Sequence, residues 1–309
     1  MKRPGSRLDA APSRRTVLAL GAGTALATTL PSGTAYAAPE AIHPRLRGLE
    51  REYAARLGVF AWDTATGRTV AHRAAERFPM CSVFKPLAAA AVLRDLDRDG
   101  TYLAKRVHYT RRDVERAGPP EVTQVTGAPE NLARGMTVAE LCAAAVSRSD
   151  NCAGNLLLRE LGGPGAVTRF CRSLGDRTTR LDRWEPELNS AEPWRVTDTT
   201  TPYAIGTTYA RLTLGRELSR ADRDLLTGWL LANTTNGERF GKGLPEGWTS
   251  ADKTGGWRPY GVANDVGVAW PPGRPPVVIS VLSAKDDPAG PTDNPLVARA
   301  VALVVDALT

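Results

Sequence analysis

In the stretch Cys81-Ser-Val-Phe-Lys85 a hydroxyl and an ammonium stand three residues apart. Strong helix formers follow in Pro86-Leu-Ala-Ala-Ala-Ala-Val-Leu93, so Ser82 is expected near a helix N-terminus. Positions three apart share a helix face, which would bring Ser82 Oγ and Lys85 Nζ together in the first turn. A serine hydroxyl is a poor nucleophile until a base takes its proton, and a buried lysine of lowered pKa can serve. The positive end of the helix would favour the negative charge that develops during acylation. Taken alone, the same spacing also suits a solvated helix surface.

Three other stretches carry suitable groups. Ser149-Asp150-Asn151 offers a hydroxyl and an amide just before a helical pattern, and would equally serve as a plain helix cap. Lys253-Thr254-Gly255 offers a cation, a hydroxyl and room for close backbone approach on an expected strand. Arg180-Leu-Asp-Arg-Trp-Glu-Pro-Glu-Leu-Asn189 holds a glutamate able to act as a base. No Cys or His spacing suits a metal, and His43, His72 and His108 are scattered.

The elements that must position these groups follow from periodicity. A helix is predicted over Arg45–Leu57. Strands are predicted at 58–63 and 68–72, joined as a hairpin by Thr64-Ala-Thr-Gly67. Helical spacing then covers Val138–Ala145, Ala153–Leu161, Pro164–Leu174 and Arg220–Ala232. Strand character returns at 248–253, 261–270 and 277–284, and a helix over Pro295–Leu308 closes the chain. Strands at both ends with helices between predict a sheet assembled from both termini beside an inserted helical lobe.

The 309 residues suffice for one large domain. Ser13-Arg14-Arg15-Thr16-Val17-Leu18, a short apolar run and Ala35-Tyr36-Ala37 read as a twin-arginine signal over residues 1–37, too short for a membrane span. Secretion to an extracytoplasmic compartment is the expected destination. That segment holds Lys2, Arg3, Arg7, Arg14 and Arg15 against Asp9, so the net charge of +7 falls to +3 over the rest. With no basic stripe interleaved by aromatics, nucleic acid is not an expected partner. The twin-arginine route carries folded proteins from a reducing compartment, so Cys81, Cys142, Cys152 and Cys171 are expected as buried free thiols. On a continuous helix Cys142 and Cys152 would lie roughly 15 Å apart, too far to bridge.

In this order the motifs closely resemble the class A serine β-lactamases over essentially the whole chain after the leader. The resemblance implies an α/β fold with an antiparallel five-stranded sheet flanked by helices, built from about 38–79 and 233–309, and an all-α lobe over about 80–232. It implies hydrolysis of the β-lactam amide of penicillins or cephalosporins, no cofactor, a small-molecule partner and a monomer. Ser82 would be the acylated nucleophile, Lys85 its proton-transfer neighbour, and Ser149 the relay to the departing nitrogen. Asn151 would bind the acylamido side chain, and Lys253, Thr254 and Gly255 the substrate carboxylate. The backbone N–H groups of Ser82 and Gly256 would form the oxyanion hole. Glu185 and Asn189 would position the deacylating water on a loop closed by Arg183 and Asp198. The Glu185-Pro186 bond would be cis.

The chain departs from the family pattern in several places. Ala263 stands where an arginine often binds the substrate carboxylate, Asp293 occupies an alternative position, and Arg239 falls where a subgroup supplies that cation. Gly256-Trp257-Arg258-Pro259-Tyr260 is bulky where the substrate-lining strand is usually small. Gln124 or Val125 replaces the usual aromatic gate. Trp257 takes the place of a cysteine that pairs with the equivalent of Cys81 in some members. The rival readings are a D,D-peptidase, which lacks a base for deacylation, and a β-lactam-binding sensor, which needs a signalling partner or membrane span.

Overall fold

The computed structural model describes residues 42–309. The expected leader therefore lies outside the described residues. In chain order the structure begins with helix α1 (Ile42–Tyr53), strands β1 (Arg56–Asp63) and β2 (Thr69–His72), and the short strand β3 (Phe78–Pro79). A 3-10 turn, Cys81–Phe84, leads into α2 (Lys85–Ala91). Then come β4 (Arg106–Val107), α3 (Arg111–Ala117), α4 (Pro129–Arg134), β5 (Met136–Thr137), α5 (Val138–Ser147), α6 (Asn151–Glu160) and α7 (Gly165–Ser173). A long loop reaches β6 (Thr199–Thr200), followed by α8 (Pro202–Thr213), α9 (Arg220–Leu231) and α10 (Phe240–Gly243). Strands β7 (Thr249–Trp257), β8 (Val262–Trp270) and β9 (Val277–Ala284) precede the closing helix α11 (Asn294–Leu308).

The main sheet runs β2-β1-β9-β8-β7, all antiparallel, so the two ends of the chain do build one sheet. Val277, Ile279 and Val281 of β9 pack with Leu46 and Leu49 of α1 and Val297, Val301 and Val304 of α11. Alternate residues point to the opposite face, where Leu282 joins Val266 of β8 and Ile205 and Tyr209 of α8 in the larger core. That core continues through the helices, centred on Leu87 to Leu93, Leu141 and Leu157, all buried.

Three expectations need correction. The first helix stops at Tyr53, and Arg56 and Leu57 belong to β1. Ala54 breaks the helix with a left-handed φ of 45°, a conformation alanine does not advertise. Helix α8 lies within the segment expected to form the helical lobe, yet it packs on β1, β8 and β9, because its apolar face covers the sheet. Cys142 and Cys152 do not share a continuous helix, since the chain turns between α5 and α6. All four cysteines are nevertheless buried and free.

Candidate active site

Ser82 sits one turn before α2, in the 3-10 segment, with a relative exposure of 8%. Cys81 before it holds a left-handed φ of 47°, a strained state that persists where the surroundings enforce it. They do so on two sides. Asn264 of β8 donates from Nδ2 to the carbonyls of Pro79 (2.9 Å) and Met80 (3.2 Å). The Tyr209 hydroxyl donates to Val83 O at 2.8 Å. Strand β7 runs so close that a Cβ on Gly255 would stand 3.0 Å from Met80 O and 3.3 Å from Ser82 N. Glycine is the residue that permits this approach.

Lys85 is fully buried, but its hydrogen bonds go elsewhere than the expected Ser82 hydroxyl. Nζ donates to Ser149 O (2.7 Å) and Asn151 Oδ1 (2.6 Å), and more weakly to Ser149 Oγ (3.4 Å). Glu185 Oε1 lies 3.3 Å away. Burial pushes the Lys85 pKa down, while the Glu185 carboxylate opposes that shift. Gly154 on α6 leaves room for the lysine stem, since a Cβ there would lie 3.2 Å from Cε.

Ser149 also has a left-handed φ, 58°, which presents its side chain ahead of α6. Asp150 caps that helix by accepting the Ala153 N–H, as the plain-cap alternative anticipated. It does more. Its carboxylate also accepts the Val125 and Thr126 N–H groups and the Thr126 hydroxyl, tying the turn to the neighbouring loop. Asn151 spends its amide on Lys85 and on Ala117 O (3.2 Å).

The Ω-type loop delivers the carboxylate. Arg183 pairs with Asp198 at 2.6 Å, and Asp198 Oδ1 accepts the N–H groups of Asp182 and Arg183. The Glu185-Pro186 bond is cis. Asn155 of α6 grips Glu185 twice, donating to its carbonyl and accepting its N–H, each at 2.9 Å. The sequence reading missed Asn155, which sits on the helical face next to Asn151 with no motif of its own. Asn189 Nδ2 donates to Glu185 Oε2, and both residues are buried.

On the facing strand Lys253 is fully buried, and its one hydrogen bond goes to Thr254 O at 2.8 Å. Burial and the charge of Lys85 drive its pKa well below the usual lysine value. The Thr254 hydroxyl meets that of Thr235. Arg239 is 9% exposed and lies in the same cleft, so it is not a solvated surface arginine. Its guanidinium donates to Gly255 O (2.7 Å), Asn264 O (2.6 Å) and Asn294 Oδ1 (2.8 Å). Ala263 is buried within β8, and Asp293 is paired with Lys285 at 2.7 Å.

One cavity of about 700 Å³ collects Ser82, Ser149, Asn151, Asn189, Thr254, Gly255, Gly256 and Arg239. Lys85, Glu185 and Lys253 lie buried behind its walls. Pro119, Glu121 and Val122 line it where Gln124 or Val125 was expected, because the 3-10 turn at 120–122 carries that wall. Trp257 lines it too and packs against Cys81, Ala191 and Tyr260. Among the described residues no cluster of His, Cys, Asp and Glu could hold a metal ion.

A serine on a strained turn, a buried lysine–carboxylate pair and a cationic far wall make a site for acyl transfer through a serine ester. Comparison with known proteins gives the family. The model of the "Beta-lactamase enzyme family" matches residues 41–308. A β-lactamase of Kitasatospora aureofaciens is 65% identical over 97% of this chain and 99% of its own. The solved β-lactamase of Streptomyces albus G superposes with a TM-score of 0.85 at 62% identity, covering 87% of this chain and all of that one. An ancestral class A β-lactamase gives 0.80 at 47% identity, over 86% of this chain and all of that one. The chain belongs to the class A β-lactamases.

Proposed function

We propose that the chain hydrolyses the amide bond of β-lactams through a Ser82 acyl-enzyme, deacylated by water that Glu185 activates. The carrying observation is the buried Lys85–Glu185 pair beside Asn189, in the wall of the cavity that holds Ser82. Ser82 Oγ attacks the lactam carbonyl, and the N–H groups of Ser82 and Gly256 receive the oxyanion. The proton from Ser82 leaves through Lys85, which passes one on to Glu185 across their 3.3 Å contact, or reaches Glu185 directly through water. Ser149 passes a proton to the departing nitrogen as the ring C–N bond breaks, and the proton taken from Ser82 returns from Glu185 through Lys85 to the Ser149 hydroxyl, which leaves Glu185 ionised again. Glu185 then takes a proton from a water steadied by Asn189, the hydroxide adds to the ester carbonyl, and the proton goes to the Ser82 oxygen as the ester C–O bond breaks. Asn151 holds the acylamido group, and Lys253, Thr254, Gly255 and Arg239 hold the carboxylate.

The chain acts as an exported monomer, with residues 1–37 as the twin-arginine leader. The motif at 13–18 and the small residues at 35–37 support that reading. No described helix is long and apolar enough to cross a membrane.

Mixing the mature chain with a penicillin and following product by absorbance tests the hydrolytic reading. Sustained turnover, with transient β-lactam mass on the peptide containing Ser82, is expected. A protein that stops after one equivalent would be a D,D-peptidase or a sensor, and an adduct on another peptide would remove Ser82 as nucleophile.

A further inference from the structure

Behind the cleft, on the sheet face opposite the nucleophile turn, two aspartates that no motif contains stand on neighbouring strands. Asp252 of β7 and Asp265 of β8 are both fully buried. Thr254 pairs with Asp265 across the strands, so Asp252, two residues away, lies diagonal to Asp265 on the same face. Two fully buried carboxyl groups placed side by side on neighbouring strands repel each other when both are ionised. One proton shared between them removes that repulsion and turns one of the two carboxyls into a donor.

The remaining contacts say which one. Asp252 accepts three donors: Asn236 Nδ2 at 2.8 Å and Ser250 Oγ at 2.6 Å on Oδ1, and Asn233 Nδ2 at 2.8 Å on Oδ2. Those bonds stabilise an anion. Asp265 accepts one, the Phe240 N–H at 3.2 Å on Oδ2, and its buried Oδ1 has no donor. A buried acceptor without a donor is costly, whereas a hydroxyl there that donates is satisfied.

The pair is fastened to the segment that carries the cleft's far wall. Asn233, Asn236 and Phe240 bracket Thr235, which meets Thr254, and Arg239, whose own N–H is accepted by Asn236 O at 2.8 Å. None of the hydrogen bonds of the Arg239 guanidinium reaches a carboxylate, so its charge remains available to the cleft.

We propose that Asp252 and Asp265 share one proton, held on Asp265 Oδ1, and act as positioning residues for the substrate-carboxylate clamp of Arg239 and Thr254. With the proton in place the clamp faces one buried anion. Without it, a second anion would stand against Arg239 and repel Asp252 from the loop that it fastens. On the other face of the sheet, Lys253 of β7 and the Tyr209 phenol of α8 stand within the field of the pair. Burial and the mutual repulsion of the pair raise the Asp265 pKa well above the ordinary carboxyl range, in keeping with this assignment.

The inference rests on the clamp reading, but its first test needs no substrate. Infrared spectra of the full-length mature protein with aspartate carboxyls labelled by carbon-13 should show a protonated-carboxyl C=O band at neutral pH, displaced in heavy water. Asp265→Asn, checked for native melting, should remove the band. Absence of the band from the wild type overturns the shared proton, whatever Arg239 does. The second test is kinetic. Asp265→Ala leaves Asp252 without its donor, and KM for a penicillin should rise about tenfold with a smaller change in kcat. Asp265→Asn, whose amide can donate in place of the acid, should recover most of that loss. Equal KM increases in the two folded variants would overturn the positioning role while leaving Arg239 as clamp intact.

Discussion

Lys85 and Lys253 are both fully buried within one cleft, and their surroundings are opposite. Lys85 meets two side chains, a backbone carbonyl and a carboxylate, so its charge is spoken for. Lys253 donates to a backbone carbonyl and stands between opposed fields, those of Lys85 and Arg239 and those of Asp265 and Asp252. A buried cation with a counter-ion close by can trade a proton with it. One without a near counter-ion is costly, and the cost is relieved when an anion arrives. The helical side of the cleft is thus wired for proton traffic, and the sheet side holds a lysine with no described carboxylate in ion-pair reach. A substrate carboxylate supplies what the sheet side lacks.

The contrast breaks most visibly at Glu185. A general base contributes about 10²–10⁴-fold, so Glu185→Ala should cut steady-state turnover by that much. Acylation should suffer less, giving a burst of product and accumulating acylated Ser82, which rapid-quench mass spectrometry would follow. An unchanged steady state would mean that the carboxylate merely balances Lys85.

Removing the other lysine should act on the opposite parameter. Losing one member of a buried charge pair costs about 2–5 kcal/mol, so Lys253→Ala should lower kcat/KM roughly 30-fold or more without trapping the ester. Arg239→Ala removes the flanking cation. A charge-assisted contact is worth about 1.5–3 kcal/mol, which predicts roughly a 10- to 100-fold fall in kcat/KM. Unchanged kinetics would leave Lys253 and Thr254 as the whole clamp.

The smallest effect should be found at the cysteines, which are buried like the lysines but without charge. Burial raises all four thiol pKa values, that of Cys152 to about 12. Thiolate is the reactive form, so the native protein should resist an aromatic disulfide reagent at pH 8. Four thiols should titrate after denaturation. Fast labelling of the native chain would place a thiol at the surface.

The sequence was most legible where chemistry is local. Ser82, Ser149 and Lys253 could be placed because each motif is a few consecutive residues on one element, and the strands because short runs rich in apolar and β-branched residues end at turn residues. Contacts set by tertiary register were hidden. The Lys85 side chain turns to Ser149, Asn151 and Glu185, because α6 and the loop bring it better acceptors than its helical neighbour Ser82. The placing of Asp252 beside Asp265 depends on a strand register that no local pattern encodes. Helix α8 had its signals, a Thr201 cap and Pro202 at the first position, but its amphipathic face says nothing of which core it covers.

The sheet that joins both ends of the chain also sets the order in which the protein can come into being. Strand β1 finds its inner partner in β9, as at Val59 and Val281, with every helix of the catalytic lobe synthesised between them. Long-range pairing of this kind is slow, and β1 must wait for β9 until more than two hundred further residues have been made. Until β9 arrives, β1 has an open edge and Asn264 has no completed sheet from which to hold the turn of Ser82. The nascent chain is therefore inert and vulnerable to aggregation for most of its synthesis, and catalytic competence arrives late, when the two ends meet.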